Sequence, residues 1–233
     1  MNDLKIFLDI VATPIGNINE ITFHAIESLK NSDIVVCENI LRTKKIFYKY
    51  NLLTNKKFFR CNASTEELAF KAVEKYLKTF KKKEAINICL TSNAGYPLIS
   101  DPGWYFLRKL KEKFNISTTV SNGPCSINHA LLLSGFNINS FFFFGFLPKK
   151  TSELNKKIQI IKDLPTLIVF FLSKHRLKKE LTNLLSFFEK KEASLAFELS
   201  KVNEKVINGK ISELLNKISD DVKGEIVLTI NNN

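Results

Sequence analysis

Two carboxylates stand where apolar runs give way to loops, the places where an acid or base can meet a ligand. Glu38 follows the run Ile34–Cys37 and has no evident local structural duty, so it is a candidate general base. Asp101 lies in Cys89-Leu-Thr-Ser-Asn-Ala-Gly-Tyr-Pro-Leu-Ile-Ser-Asp-Pro-Gly103. It reads equally as a second acid–base group or, with Ser100, as the N-cap of a helix whose first turn takes Pro102. Gly95, Pro97 and Gly103 keep this segment small and bare, which lets a ligand approach the backbone closely. Two further segments share that character: Thr13-Pro-Ile-Gly-Asn17 and Ser121-Asn-Gly-Pro-Cys-Ser126. Their spacing matches neither G-x-G-x-x-G nor a phosphate-binding P-loop, which argues against a dinucleotide or NTPase site. Cys125 has no paired base in the sequence, so a nucleophilic role is unsupported. His175 and Arg176 follow a strand end and suit a phosphate, whereas His24 and His129 fall within helix patterns and read as structural.

Such loops need strands to carry them. Short apolar runs beginning near Lys5, Asp33, Lys57, Ala85 and Ser117 alternate with helical patterns at 20–31, 41–50, 65–80 and 104–114, enough for one five-stranded α/β domain. In the third pattern Ala69, Val73, Tyr76, Leu77 and Phe80 form one stripe, and Ser64 with Glu67 spells a capping box. The second half opens with a helix that Gly135 should end, then an apolar strand at 141–144. A helix carrying Leu154, Ile158 and Ile161 precedes a strand at 166–172, and another carrying Leu177, Leu181, Leu184, Leu185 and Phe188 follows it. Strands near Ala193, Lys205 and Gly224 finish the chain, with a short helix around Glu213 between the last two. The expected architecture is two α/β domains, 1–117 and 118–233, with a ligand cleft between them.

Composition narrows the partners. A net charge of +12 points to an acidic partner, RNA first, although only Arg42, Arg60, Arg108 and Arg176 are arginines and much of the lysine reads as solvated surface. The Lys81-Lys-Lys83 run reads as a favourable helix-end charge rather than a binding site. The longest apolar run, 166–172, falls far short of the roughly 20 residues a membrane helix needs, and the N-terminus lacks a signal-peptide pattern, so a cytoplasmic location without membrane attachment is expected. Cys37, Cys61, Cys89 and Cys125 form no C-x-x-C pair, so neither a metal site nor a disulfide framework is expected.

A set of segments in one order carries a resemblance. Ile10-Val-Ala-Thr-Pro-Ile-Gly-Asn17, the 92–103 loop, Ser134-Gly-Phe136, Phe144-Gly-Phe-Leu-Pro-Lys149, Ser173-Lys-His-Arg176, Glu198-Leu-Ser-Lys201 and Gly224-Glu-Ile-Val-Leu228 follow one another along nearly the whole chain. Together they resemble the ribosomal RNA small subunit methyltransferase I family of the tetrapyrrole methylase superfamily. The resemblance implies a two-domain fold with S-adenosylmethionine (SAM) in the cleft, held largely by backbone groups. It further implies methylation of a cytidine ribose 2′-hydroxyl in the decoding centre of 16S rRNA, within the small ribosomal subunit, by a homodimer. A 2′-hydroxyl target means RNA, not DNA. By matching motif positions, SAM would contact Pro14, Asn93, Gly95, Ile99, Cys125, Ser126, Phe171, Leu172 and Leu199, with Phe171 and Leu172 walling the adenine. Glu38 and Asp101 are the catalytic candidates, and Arg42, His175, Arg176 and Lys201 the RNA contacts.

The chain also departs from the family pattern. Glu-Asp-Thr-Arg is Glu38-Asn-Ile-Leu41 here, Ser-Asp-Ala-Gly is Ser92-Asn-Ala-Gly95, and His-Asn-Glu is Cys61-Asn-Ala63. Glu-Ser-x-His-Arg becomes Leu172-Ser-Lys-His-Arg176, and Arg-Glu-Leu becomes Phe197-Glu-Leu199. Charge is lost each time, which raises a second expectation: a remnant that binds SAM or RNA with weak or no catalysis. A tetrapyrrole substrate is a third reading. The resemblance implies that many relatives continue beyond the last core strand into a short basic helical extension, and without one weaker engagement of RNA is expected.

Overall fold

The computed structural model describes residues 4–52, 55–80, 85–218 and 224–233, so the Lys81-Lys-Lys83 run lies outside the described residues. The chain divides into two compact units, Met1–Pro124 and Cys125–Asn233. In the first, strands β1 (Lys5–Val11), β2 (Ile34–Cys37), β3 (Lys57–Arg60), β4 (Ala85–Thr91) and β5 (Ile116–Ser121) form one sheet in the order β3-β2-β4-β1-β5, all pairs parallel. β5 pairs with β1 and spans residue 117, and the first unit runs on to Pro124.

Both faces of this sheet are covered, which explains why β2 is apolar at every position. Ile34 and Val36 join a core with Ala69, Phe70, Val73 and Leu77 of α3 (Glu66–Leu77) and Phe106 and Leu110 of α4 (Trp104–Lys113). Val35 and Cys37 join another core with Ala25 and Leu29 of α1 (Phe23–Asn31) and Ile46 and Phe47 of α2 (Ile40–Lys49).

Two helix starts differ from the sequence expectation. α4 is capped by Gly103 at φ 120°, so neither Ser100 nor Asp101 is its N-cap and Pro102 lies before the first turn. Its orphan N–H groups are satisfied through space instead: the Glu66 carboxylate accepts from Tyr105 N at 2.8 Å and Phe106 N at 3.4 Å. Likewise α3 starts after Thr65, because Asn62 Oδ1 accepts from the hydroxyls of Ser64 and Thr65, at 2.9 and 2.8 Å, and sets the turn in place of a Ser64/Glu67 capping box.

The second unit is mixed. Strands β6 (Phe141–Phe146), β7 (Leu167–Leu172), β8 (Glu192–Phe197), β9 (Lys205–Lys210) and β10 (Ile226–Asn231) run in the order β6-β7-β10-β8-β9, with only β6 and β7 parallel. One face buries Ile168, Phe170, Leu172 and Phe197 against α6 (Thr151–Ile161), α7 (Leu177–Phe188) and α8 (Ile211–Lys217). Helix α5 (Ser126–Ser134) packs on β8, β9 and β10, ending at left-handed Gly135.

Candidate functional site

The connections that follow β1 and β4 lead to opposite sides of the first sheet: β1 feeds β2 on one flank, β4 feeds β5 on the other. Neighbouring strands that part in this way open a crevice at their carboxyl ends, the usual ligand position in α/β sheets. The three bare loops all leave from this edge, after β1, β4 and β5.

Hydrogen bonds knit them together. Thr13 and Gly95 exchange both backbone bonds at 2.9 Å, and Ser92 Oγ donates to Gly95 O at 2.8 Å. Gly95 sits at φ 73°, and a Cβ there would meet Ile15 Cγ2 at 3.4 Å and Pro124 O at 3.7 Å. The third loop is tied in by Tyr96, whose hydroxyl accepts from Gly123 N at 3.1 Å and donates to Asn122 Oδ1 at 3.2 Å. Sequence reasoning gave Tyr96 no role; an aromatic between two turn formers was the only signal.

A second feature escaped the sequence entirely. Ile99 lies between two left-handed residues, Leu98 at φ 74° and Ser100 at φ 59°. In the other unit Leu199 lies between Glu198 at φ 49° and Ser200 at φ 61°. None of the four is glycine, and each such conformation costs about 1–2 kcal/mol. Both bracketed residues are candidate cofactor contacts, and strain of this kind gathers where a backbone is held for a ligand.

The remaining second-unit candidates occupy the start of α5, the end of β7 and the turn after β8. Cys125 is the N-cap of α5 and Ser126 its first residue. Phe171 is half-buried, its ring centroid 4.9 Å from that of Phe143 and 5.3 Å from that of Phe146. Leu172 points the other way, its side chain in the core with residues of α6 and α7 at 3 % exposure.

Glu38 follows β2 directly, and Cys37 pairs in register with Thr91, which sets Glu38 beside Ser92 at the same edge. Asp101 is half-buried in the β4–α4 loop, as is Pro14 in the loop after β1. Of the proposed phosphate contacts, Arg42 and His175 are exposed. Arg176 pairs with buried Glu180 at 2.9 Å, and Lys201 Nζ donates to Glu198 at 2.9 Å and Glu225 at 3.2 Å, so both charges already serve the fold. Burial opposes the Lys201 ammonium, but those carboxylates outweigh it and raise its pKa.

Glu180 shows the reverse balance. Burial pushes its carboxyl above the usual range, against the opposing pull of the Ser173 N–H at 2.8 Å and the Arg176 guanidinium. Stability from a raised carboxyl is present below the unfolded value near 4.5 and lost as pH rises through the folded value. Glu180→Gln should therefore gain on the parent between about pH 4 and pH 8. Urea unfolding of both proteins at the two pH values measures the difference, and one that stays constant refutes the assignment.

Thiol reactivity separates the cysteines. Burial pushes Cys37 up to about 11 and Cys61 and Cys89 up to about 12, while Cys125 alone is half-exposed. Iodoacetamide at about pH 8 should alkylate Cys125 at least roughly 10²-fold faster than the other three, as peptide mapping would show. Among the described residues no group of three His, Cys, Asp or Glu could hold a metal ion, and no helix is long and apolar enough to cross a membrane.

The family described as Tetrapyrrole (Corrin/Porphyrin) Methylases matches residues 8–215. A ribosomal RNA small subunit methyltransferase I from Rickettsia prowazekii (strain Madrid E) is 35% identical over 231 residues, covering 99% of this chain and 80% of the relative. Its counterpart from Leptospira biflexa serovar Patoc is 34% identical, covering 97% and 91%. The chain belongs to the ribosomal RNA small subunit methyltransferase I family of the tetrapyrrole methylases. Uroporphyrin-III C-methyl transferase from Thermus thermophilus, solved with S-adenosyl homocysteine, has the same fold at TM-score 0.64 and 12% identity, covering 97% of this chain and 96% of that one.

Membership of a methylase family implies SAM as methyl donor, and the residues fit it. Asn93 Oδ1 is buried with no hydrogen-bond partner among the described residues, an acceptor open to a ligand donor. Gly95 keeps the floor of its loop free of side chain. Several positions where the resemblance implies a charge have structural duties here. Asn39 caps α2, its Oδ1 accepting from Leu41 N at 3.0 Å and Arg42 N at 3.2 Å, as an aspartate would. Leu172 and Phe197 are core residues.

Proposed function

We propose that the chain transfers the methyl of SAM to the ribose 2′-hydroxyl of a cytidine in the decoding centre of 16S rRNA, acting as a cytoplasmic homodimer on the small ribosomal subunit. The observation that carries the reading is near-full-length identity to ribosomal RNA small subunit methyltransferase I relatives, in a chain that keeps the carboxyl-edge loops intact. When bound, SAM supplies an electrophilic methyl on a sulfonium, so the protein's task is chiefly alignment. Pro14, Asn93, Gly95 and Ile99 in one unit, and Cys125, Ser126, Phe171, Leu199 and the Leu172 backbone in the other, would hold and orient it. Glu38 would take the ribose hydroxyl proton, with Asp101 the other candidate. Arg42 and His175 would meet RNA phosphate, supported by the +12 net charge.

The apolar residues Leu172 and Phe197, where the family has Glu and Arg, favour one alternative: a remnant that binds SAM without transfer. Incubation with radiolabelled SAM and small subunits lacking the modification decides between them. Label mapped to a decoding-centre ribose supports the enzyme; measurable SAM binding with unlabelled RNA supports the remnant. Light scattering on the eluting protein tests the dimer.

A further inference from the structure

Leu199 needs its left-handed neighbours held, and the two are held differently. Glu198 is fixed from its own sheet: its backbone N donates to Glu225 O at 3.0 Å, and its Oε1 accepts from Glu225 N and Lys201 Nζ, both at 2.9 Å. Ser200 has no such strand partner. Its N donates to Glu204 Oε2 at 2.6 Å, and its hydroxyl lies 3.3 Å from His129 Nδ1. The other ring nitrogen, His129 Nε2, lies 3.2 Å from the same Glu204 Oε2. One imidazole on α5 therefore touches both members of the turn. His129 also belongs to the first turn of α5, its N donating to Cys125 O at 3.0 Å.

We infer that His129 is a positioning residue for the cofactor: it clamps Ser200 in its left-handed conformation and so holds Leu199 at a constant distance from Cys125 and Ser126. A neutral ring suffices, with Nε2–H donating to Glu204 and Nδ1 accepting from the Ser200 hydroxyl. This role rests on the proposed cofactor contacts, since Leu199, Cys125 and Ser126 are the segments it joins. It does not depend on any group of the first unit.

Two readouts test it. Amide exchange at Ser200 reports whether the turn is held, and S-adenosylhomocysteine affinity reports whether that matters for the cofactor. His129→Ala should speed Ser200 exchange and weaken affinity by about tenfold, the loss expected from two ordinary hydrogen bonds. His129→Gln, which keeps an N–H donor and an acceptor, should recover most of it. Ser200→Gly removes the need for a clamp, because glycine adopts this φ freely. In that background His129→Ala should change affinity by less than about twofold. Unchanged Ser200 exchange in His129→Ala overturns the clamp. So does an affinity loss that Ser200→Gly leaves intact. If the parent chain binds no S-adenosylhomocysteine, the cofactor reading fails and takes the cofactor role of His129 with it, while the exchange data still decide the clamp.

Discussion

With Glu38 as the proposed general base, Glu38→Gln should lower methyl transfer to unmodified small subunits by roughly 10²- to 10⁴-fold, the usual contribution of such a group. Binding of S-adenosylhomocysteine should stay within about threefold, because the proposed base acts on the ribose and not on the cofactor. The argument is one of placement. Glu38 is carried on β2 immediately beyond Cys37, a strand buried on both faces, and is followed by Asn39, whose side chain caps α2. A carboxylate between a rigid strand and a capped helix has little freedom to drift. Single-turnover rates with labelled SAM, beside binding by calorimetry, make the measurement. Asp101→Asn is the comparison: if it abolishes turnover while Glu38→Gln does not, the base is Asp101. Asp101 is the second candidate carboxylate, in the loop between β4 and α4.

Gly95→Val weakens S-adenosylhomocysteine binding by at least about tenfold and lowers the melting temperature by roughly 2–8 °C. Two effects add. A β-branched residue at φ 73° is strained by about 1–2 kcal/mol, and relief of that strain would break the paired bonds with Thr13. The added methyl groups also enter space bounded by Ile15 and the Pro124 carbonyl, where the loop is otherwise bare backbone. Differential scanning calorimetry and isothermal titration on the same preparations separate strain from obstruction. A variant that loses stability but binds normally would remove Gly95 from the cofactor's contacts.

The strands were legible because burial writes itself into short runs. Ile34–Cys37 is apolar throughout because helices cover both faces, and Leu167–Leu172 is apolar because its sheet is packed on both sides. The end of α5 at Gly135 was legible for a similar local reason, a left-handed cap that glycine alone adopts without cost. Local reading misled where a helix start depended on something distant in sequence. Asp101 has the right chemistry for a cap beside α4, yet the N-cap is Gly103 and the first N–H groups donate to Glu66 on α3. Leu172 sat at a motif position, but strand alternation turns it into the core and leaves Phe171 on the other face.

By itself the sequence determined the alternation of strands and helices, the three bare loops at strand ends, and the order of segments that marks the family. These depend on residue type and spacing along the chain, which is what sequence records. Only the tertiary structure decided that Thr13 and Gly95 pair, that Lys201 spends its charge on Glu198 and Glu225, and that left-handed residues bracket Ile99 and Leu199. No glycine announces those brackets. Leu98 and Ser200 take up a costly φ without being glycine, and at Ser200 the hydroxyl meets His129, 71 positions away in sequence.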